Sequence, residues 1–588
     1  MSIKERQPSM RAFFLGPKSE NEAWVRAEVQ TILDEWFHYR RSLFVDDPEV
    51  ITPKERRSVP FLKRREELSL HLGDLLTRLK GETPKFTPRY IGHMVSETSL
   101  PAIFGHFAAL LHNPNNTSKE VSRVTSELEE EGIAMLADMI GYDPEIATGH
   151  FTSGGTVANF EAIWRARFRM DHWVSLALYL AEEHGEPFDL IGASHMGWQR
   201  YYKLVDKHGV DEAITREYSI VGSNPFRTAA RLNKYLDAPY EGPVVLVPGN
   251  KHFSWVKGTS VFGLGEDAFW TVPLNAEGRV DDVTLAALIE RAHRANRPVM
   301  MVVTVAGTTE TGEIDRVDHT ARLLDEVRDR QGLDIWHHVD AAYGGFFCTL
   351  LGGEDEALYS EDCLEALKAI RFANSVTLDP HKLGYVPYSC GAFLTRDAEN
   401  YRMPQYSAPY LERENVGPEK WSMTLEGSRS AAGVTATWLS GRTLGFRPAG
   451  MGRIIAATIR SARDAASYLE ARIDGFRLLH PCDSNIICFS VAHEGEPLSL
   501  VNKRVEAIFE KFWQSETFSI SKTTLAKDNY GAVMQAHMEG TGGIVDCDHM
   551  VLLRCVFMNP FWTKDAVRNQ LLPELATELQ TYCDAVTV

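Results

Sequence analysis

Ile335-Trp336-His337-His338-Val339-Asp340-Ala341-Ala342-Tyr343-Gly344-Gly345 runs from a largely apolar stretch into a carboxylate and then into small residues. Residues 335–339 show no polar face, which predicts a strand covered on both sides, and the carboxylate falls at its C-terminal end. The same form recurs at 244–247, 299–305, 375–378 and 391–395. Between several of these runs lie helical periodicities, notably 280–295 and 320–330. Strand, helix, strand alternation requires crossover connections and so predicts a mostly parallel central sheet with helices on both faces, an α/β fold.

Outward from this centre, Val121, Val124, Leu128, Met135 and Met139 recur at helical spacing and predict an amphipathic helix over 119–140. Residues 170–240 read as an insertion rich in aromatic and charged residues, helical over 173–183. The stretch 399–422, with Pro404, Pro409, Gly417 and Pro418, reads as an exposed loop or hinge. From 430 onward helical and strand patterns alternate again. The expected organisation is an N-terminal helical segment (1–85), a large domain (86–397), a mobile loop (398–425) and a smaller C-terminal α+β domain (426–588). No internal repeat or low-complexity tract is present.

The 588 residues, 44% of them hydrophobic and 24% charged, are ample for a large folded core. Sixty-two basic against 80 acidic residues leave a net charge of −18, which repels nucleic-acid backbones and anionic membranes. The expected partner is a small molecule, with no nucleic acid and no membrane. Eight cysteines without a C-x-x-C pair predict reduced thiols and a cytoplasmic location, and no metal site is expected. Neither an export signal nor an anchor is expected, because the N-terminus is charged and the apolar runs are short.

Four features fall at expected strand ends, where open α/β sheets place ligands. Thr152-Ser153-Gly154-Gly155-Thr156 leads into a helical stretch over 157–167, where glycines admit an anion and the helix N-terminus favours negative charge. Asp340 at the end of an apolar strand costs several kcal/mol to bury unless it meets a cation or good donors. Lys382, in Asp379-Pro380-His381-Lys382-Leu383-Gly384, stands where an amine could bond an aldehyde. His252, in Asn250-Lys251-His252-Phe253-Ser254, offers a flat ring for stacking. Taken singly, each is more often a turn, a helix cap, a solvated lysine or a structural histidine. Together, a phosphate cradle, a carboxylate for a pyridinium, an amine for an aldehyde and a stacking ring describe a site for pyridoxal 5′-phosphate. The carboxylate would keep the pyridine nitrogen protonated, which makes the ring an electron sink.

On these residues the sequence resembles the group II pyridoxal-phosphate-dependent amino-acid decarboxylases, and within them the bacterial tyrosine decarboxylase branch. The resemblance also rests on His93-Met94-Val95-Ser96, Leu100-Pro101-Ala102, Asn113-Pro114-Asn115-Asn116, the run from Gly149 to Asn159, Gly307-Thr308-Thr309-Glu310-Thr311-Gly312 and Ser375 through Tyr388. It implies the aspartate-aminotransferase fold (fold type I) and a homodimer with active sites at the interface. It further implies that Lys382 carries the cofactor, Asp340 meets the pyridine nitrogen and His252 stacks on the ring. By the same resemblance Gly155 and Thr156 hold the phosphate with His381 and Ser428 assisting, Thr309 approaches the ring oxygen or the substrate carboxylate, and Ala342 packs under the ring. Tyr410, on the loop after the lysine strand, is implied as the residue that protonates the α-carbon once CO2 has left, with Tyr401 and Tyr406 as neighbours. His93 is the expected substrate-side residue.

Two departures stand out: the length of 170–240, and Gly258 where an alanine is common after the histidine motif. Neither touches the chemistry, but the first could reshape substrate entry. The expected reaction is decarboxylation of an L-amino acid to its amine, with an aromatic, tyrosine-like substrate favoured. The alternatives are an acidic substrate, aspartate or glutamate, and another lyase or oxidative deaminase of the same fold and cofactor. An acidic side chain would call for an arginine fork, and Arg89, Arg169, Arg200 and Arg216 lie in suitable regions.

Overall fold

In a computed structural model, residues 10–403, 420–480 and 482–586 are described. Seven strands build the large sheet: β1 (Thr148–Thr152), β2 (Val244–Pro248), β3 (Phe269–Val272), β4 (Val299–Val305), β5 (Trp336–Asp340), β6 (Ser375–Leu378) and β7 (Gly391–Thr395). Their order is β1-β7-β6-β5-β4-β2-β3. Pairing is parallel from β3 through β6, and β7 alone runs against its two neighbours. Burial explains the apolar runs: every residue of β2, β4, β5, β6 and β7 is buried, so no alternation of polar and apolar side chains is tolerated.

The register decides where chemistry can occur. Val305 pairs with Asp340 and Asp340 with Thr377, so the C-terminal ends of β4, β5 and β6 lie side by side. The segments that leave them, 306–312, 341–345 and 379–384, therefore gather at one edge, together with 249–252 after β2. Crossover helices Asp282–Arg294 and Val317–Gln331 match the expected ones within a few residues.

Two strands were not read from the sequence. Thr148–Thr152 and Phe269–Val272 are the two edge strands, and neither is a sustained apolar run. The expected insertion at 170 also begins later than its composition suggests. Gly155–His184 is one unbroken helix of 30 residues that takes in 170–184, because no glycine or proline interrupts it before Gly185, whose φ of 67° ends it. Its second half buries Trp173, Leu176 and Leu180 against Tyr201 and Met196 of the segment that follows. The stretch 399–422 is not exposed at its ends: Asn400, Tyr401, Met403 and Ser422 are buried, and Ala398–Tyr401 is a helical turn. Proline and polar composition missed these anchors, and residues 404–419 between them lie outside the described residues.

A second, antiparallel sheet follows in the order β10-β11-β9-β8, from β8 (Phe476–Leu478), β9 (Ile486–Val491), β10 (Ser521–Ala526) and β11 (His549–Val556). Ile91 bonds across to Ser519 and Val556, so the chain just before 100 is stitched to this smaller sheet. The eight cysteines are all free thiols.

Candidate active site

The gathered strand ends enclose a cleft of about 290 Å3. Eight of the expected residues line it: Gly155, Thr156, His252, Thr309, Asp340, Ala342, His381 and Lys382. Two of the described ones do not join them. Ser428 is exposed and accepts a bond from Asn115 Nδ2 at 3.1 Å. His93 is exposed beside Arg554. Tyr410 and Tyr406 lie outside the described residues.

At the floor, Asp340 is 4% exposed. Its Oδ2 accepts from Asn159 Nδ2 at 2.8 Å and from Trp255 Nε1 at 3.1 Å, and its Oδ1 from the Ala342 amide at 3.3 Å. These donors are all neutral. The two nearby imidazoles are neutral as well, since burial lowers both His252 and His338 despite the pull of Asp340, the latter to about 4. Among the described residues no side-chain cation pairs with this carboxylate. A buried charge held only by neutral donors is poorly compensated, and a cationic ring nitrogen would complete it.

Asn159 is itself fixed. Its Oδ1 accepts from Thr377 Oγ1 at 2.7 Å and lies 3.4 Å from His338 Nε2, while His338 Nδ1 meets Ser375 Oγ at 2.7 Å. Two adjacent strands, β5 and β6, and two helices, Gly155–His184 and Ser254–Val261, thus determine where Asp340 points. At the other side, Lys382 Nζ sits 3.1 Å from Asp379 Oδ2, and Asp379 Oδ1 is buried without a partner. His381 accepts from the Cys390 amide at Nδ1, which leaves its Nε2 as the protonated nitrogen, and it stacks on Tyr388 at 4.1 Å between centroids. His252 Nδ1 faces Ser254 Oγ at 2.8 Å.

At the mouth, Gly155 opens the long helix, whose first residues, Gly155, Thr156 and Val157, line the cleft. A Cβ there would come within 2.8 Å of Asp379 Oδ2 and 3.2 Å of the Ala342 Cβ, so only glycine leaves the space open. Helix N-terminus, open cradle, amine and uncompensated carboxylate are the parts that a phosphorylated pyridine aldehyde needs, and they share one cleft.

Comparison with known proteins agrees with this chemistry. Residues 229–492 match the pyridoxal-dependent decarboxylase conserved domain. An L-aspartate decarboxylase of Thermococcus kodakarensis is 31% identical over 56% of this chain and 77% of its own length. The chain belongs to the pyridoxal-dependent decarboxylase family. An L-tyrosine decarboxylase of Levilactobacillus brevis is 28% identical, with 98% of this chain and 96% of that protein covered. Among solved structures, the glutamate decarboxylase domain of a diaminobutyrate-pyruvate transaminase and L-2,4-diaminobutyrate decarboxylase from Vibrio parahaemolyticus superposes with a TM-score of 0.60 at 19% identity, over 97% of this chain and 96% of that one. The protein is thus a pyridoxal-phosphate-dependent amino-acid decarboxylase with the fold of this family.

Several residues of this decarboxylase's site escaped the sequence reading. Asn159 lay inside a quoted motif, one helical turn after Gly155, yet nothing local ties it to Asp340. Trp255 follows His252 by three residues and gave no signal of its own. Arg554, on β11, donates to the carbonyls of Thr309, Glu310 and Gly92 at 2.8, 2.8 and 2.9 Å, and so fastens the Thr309 loop to the smaller sheet.

Proposed function

We propose that this decarboxylase acts on an aromatic L-amino acid, with tyrosine the first candidate, and releases the corresponding amine. One observation carries the choice of substrate: no arginine is among the described residues that line the cleft. An acidic side chain would need such a fork. Of the four arginines considered for it, Arg89 pairs with Glu574 at 2.6 Å and Arg169 lies between Trp173 and Trp336, while Arg200 and Arg216 are exposed. Similarity to L-tyrosine decarboxylases over nearly the whole chain supports the same reading.

Each residue has a task that follows from its place. Gly155 and Thr156, with His381 beside them, would hold the phosphate, and Ala342 and neutral His252 would hold the ring. Asp340 holds the ring nitrogen protonated, and Thr309 stands at the rim toward the substrate. Pyridoxal phosphate held there would supply an electron sink for the pair left on the α-carbon when CO2 leaves. Lys382 would hold the cofactor through its aldehyde. Tyr410 supplies the proton to the α-carbon as a general acid.

The working unit is a homodimer. Helices Glu22–Ser42 and Val59–Leu79 bury no residue within the chain, while Phe37, Leu62, Leu68, Leu72, Leu75 and Leu79 are exposed. Each is 21 residues, about 31 Å long, and apolar faces of that length call for a partner surface. A second copy of the chain, placing its helices over the first, is the occupant, with Ser428 and His93 then available to the site across the interface. A cytoplasmic location fits eight free thiols. No helix of the described residues is long and apolar enough to cross a membrane.

A panel of L-amino acids incubated with the holoenzyme, with CO2 and amines quantified, tests the substrate. Tyramine from tyrosine should dominate. Preferred conversion of aspartate or glutamate would overturn the aromatic assignment, and oxidation without CO2 release would overturn decarboxylation. Sedimentation at micromolar concentration should give twice the chain mass.

A further inference from the structure

The chain enters the 404–419 segment from Tyr401 and leaves it toward Met423 and Leu425, and both approaches lead to the same four side chains. Tyr401 OH lies 2.8 Å from His150 Nδ1, and His150 Nε2 lies 3.1 Å from Glu161 Oε1. Glu161 Oε2 accepts from Arg165 Nη1, one helical turn on. On the far side of the segment, the Leu425 amide donates to Glu161 Oε1 at 2.8 Å, and Arg165 Nη2 donates to the Met423 carbonyl at 2.6 Å. The guanidinium also lies 4.3 Å over the Tyr401 ring. His150, Glu161 and Arg165 are 0% exposed and Tyr401 is 3% exposed.

The proton positions follow from this geometry. Burial alone would raise the Glu161 acid, but Arg165, His150 and the Leu425 amide outweigh it and hold the acid at about 2. Glu161 is therefore an acceptor only, and His150 must donate from Nε2. Burial keeps His150 neutral, down at about 4, so its Nδ1 accepts the hydroxyl proton of Tyr401. Each hydrogen bond in the chain from Tyr401 to Met423 then has a defined donor, with Glu161 accepting from His150 on one side and Arg165 on the other.

We infer that Tyr401, His150, Glu161 and Arg165 form a positioning unit that fixes both ends of the segment carrying Tyr410 relative to the cofactor cleft. Glu161 and Arg165 ride on the helix whose first turn lines that cleft, about 9 and 15 Å along its axis from Gly155. A rigid helix thus sets the distance between the phosphate cradle and both ends of the segment. Such a unit acts on proton delivery and leaves cofactor binding alone. This inference rests on the reading of Tyr410 as proton donor.

Tyr401→Phe removes only the hydroxyl, and Arg165→Lys keeps the charge opposite Glu161 but cannot also reach the Met423 carbonyl. In the holoenzyme each variant should bind cofactor within about twofold of the wild type. Each should lose roughly tenfold in kcat, the equivalent of one buried hydrogen bond, with KM within about threefold. Deuterium exchange at the Leu425 amide should accelerate in both, and the ratio of carbonyl product to amine should rise. Adding Tyr410→Phe to either variant should raise that ratio no further than Tyr410→Phe alone. Wild-type kcat and product ratio in both variants, with cofactor bound, would overturn the inference, as would effects that multiply in the double variants. An unchanged product ratio in Tyr410→Phe alone would remove Tyr410 as donor. The positioning unit would then stand only if the single variants still lost kcat with faster exchange at Leu425.

Discussion

Replacing Asp340 by asparagine changes charge with almost no change in shape, and the structure indicates how the amide must sit. Oδ2 already accepts two N–H donors, from Asn159 and Trp255, so the amide oxygen must take that position. The NH2 group then replaces Oδ1, the oxygen left to meet the ring nitrogen, opposite the Ala342 amide at 3.3 Å. Two donors would confront each other, and the ring nitrogen would meet a donor where it needs an acceptor. A buried ion pair broken from one side costs about 3–5 kcal/mol. If that loss is felt mainly as negative charge develops at the α-carbon, turnover falls by roughly two to four orders of magnitude at about 1.4 kcal/mol per decade. Cofactor affinity should fall far less, because the cradle at Gly155 and the Lys382 bond are untouched. Trp255→Phe, which removes one neutral donor and leaves the charge, should cost only about tenfold. The assay is single-turnover CO2 release by holoenzyme, with bound cofactor measured in the same sample. A kcat for Asp340→Asn within about threefold of wild type, at full cofactor occupancy, would refute the assignment of Asp340 to the ring nitrogen.

Lys382→Ala should abolish the visible absorbance of the bound cofactor and all turnover while the far-ultraviolet circular dichroism stays native; a borohydride-stable adduct on another lysine would show the anchor to be elsewhere. Tyr410→Phe should keep CO2 release and lose most amine in favour of a carbonyl product, measured by separate quantification of all three, whereas Tyr406→Phe should do much less. Glu97, 7% exposed with Oε1 on the Gly16 amide and Oε2 unpaired, is pushed by burial up to about 7. The folded state therefore holds its proton more tightly than the unfolded state. Its share of stability is complete below the ordinary glutamate range and is lost as pH rises through 7, amounting to about 3 kcal/mol. Glu97→Gln should accordingly gain in urea midpoint over wild type at pH 8.5 but not at pH 4, and equal differences at both would contradict a raised Glu97.

What could be read from the sequence is what a short window contains. Residues 299–305 and 375–378 are buried on both faces, so their apolar character is continuous and marks them as strands wherever they pack. Lys382, Asp340 and His252 each stand at or just after the end of such a run, and a strand end in a parallel sheet is already a place in the fold. The family resemblance is likewise carried by local motifs. Edge strands such as Phe269–Val272 were missed because half-covered strands need no continuous apolar run. The length of the Gly155–His184 helix was divided by a change in composition that the backbone ignores.

Only the tertiary structure decided which side chains meet. Trp255 and Asp340 are 85 residues apart, Glu161 and Leu425 264, and Arg554 and Thr309 245. A hydrogen bond depends on angstroms and angles that no spacing along the chain encodes once loops of arbitrary length intervene. Asn159 looked like a helix residue among others until β5 and β6 came beside it. His150, Glu161 and Arg165 gave no sign of a common task, because their charges become costly, and therefore directed toward one another, only when the core closes and water leaves.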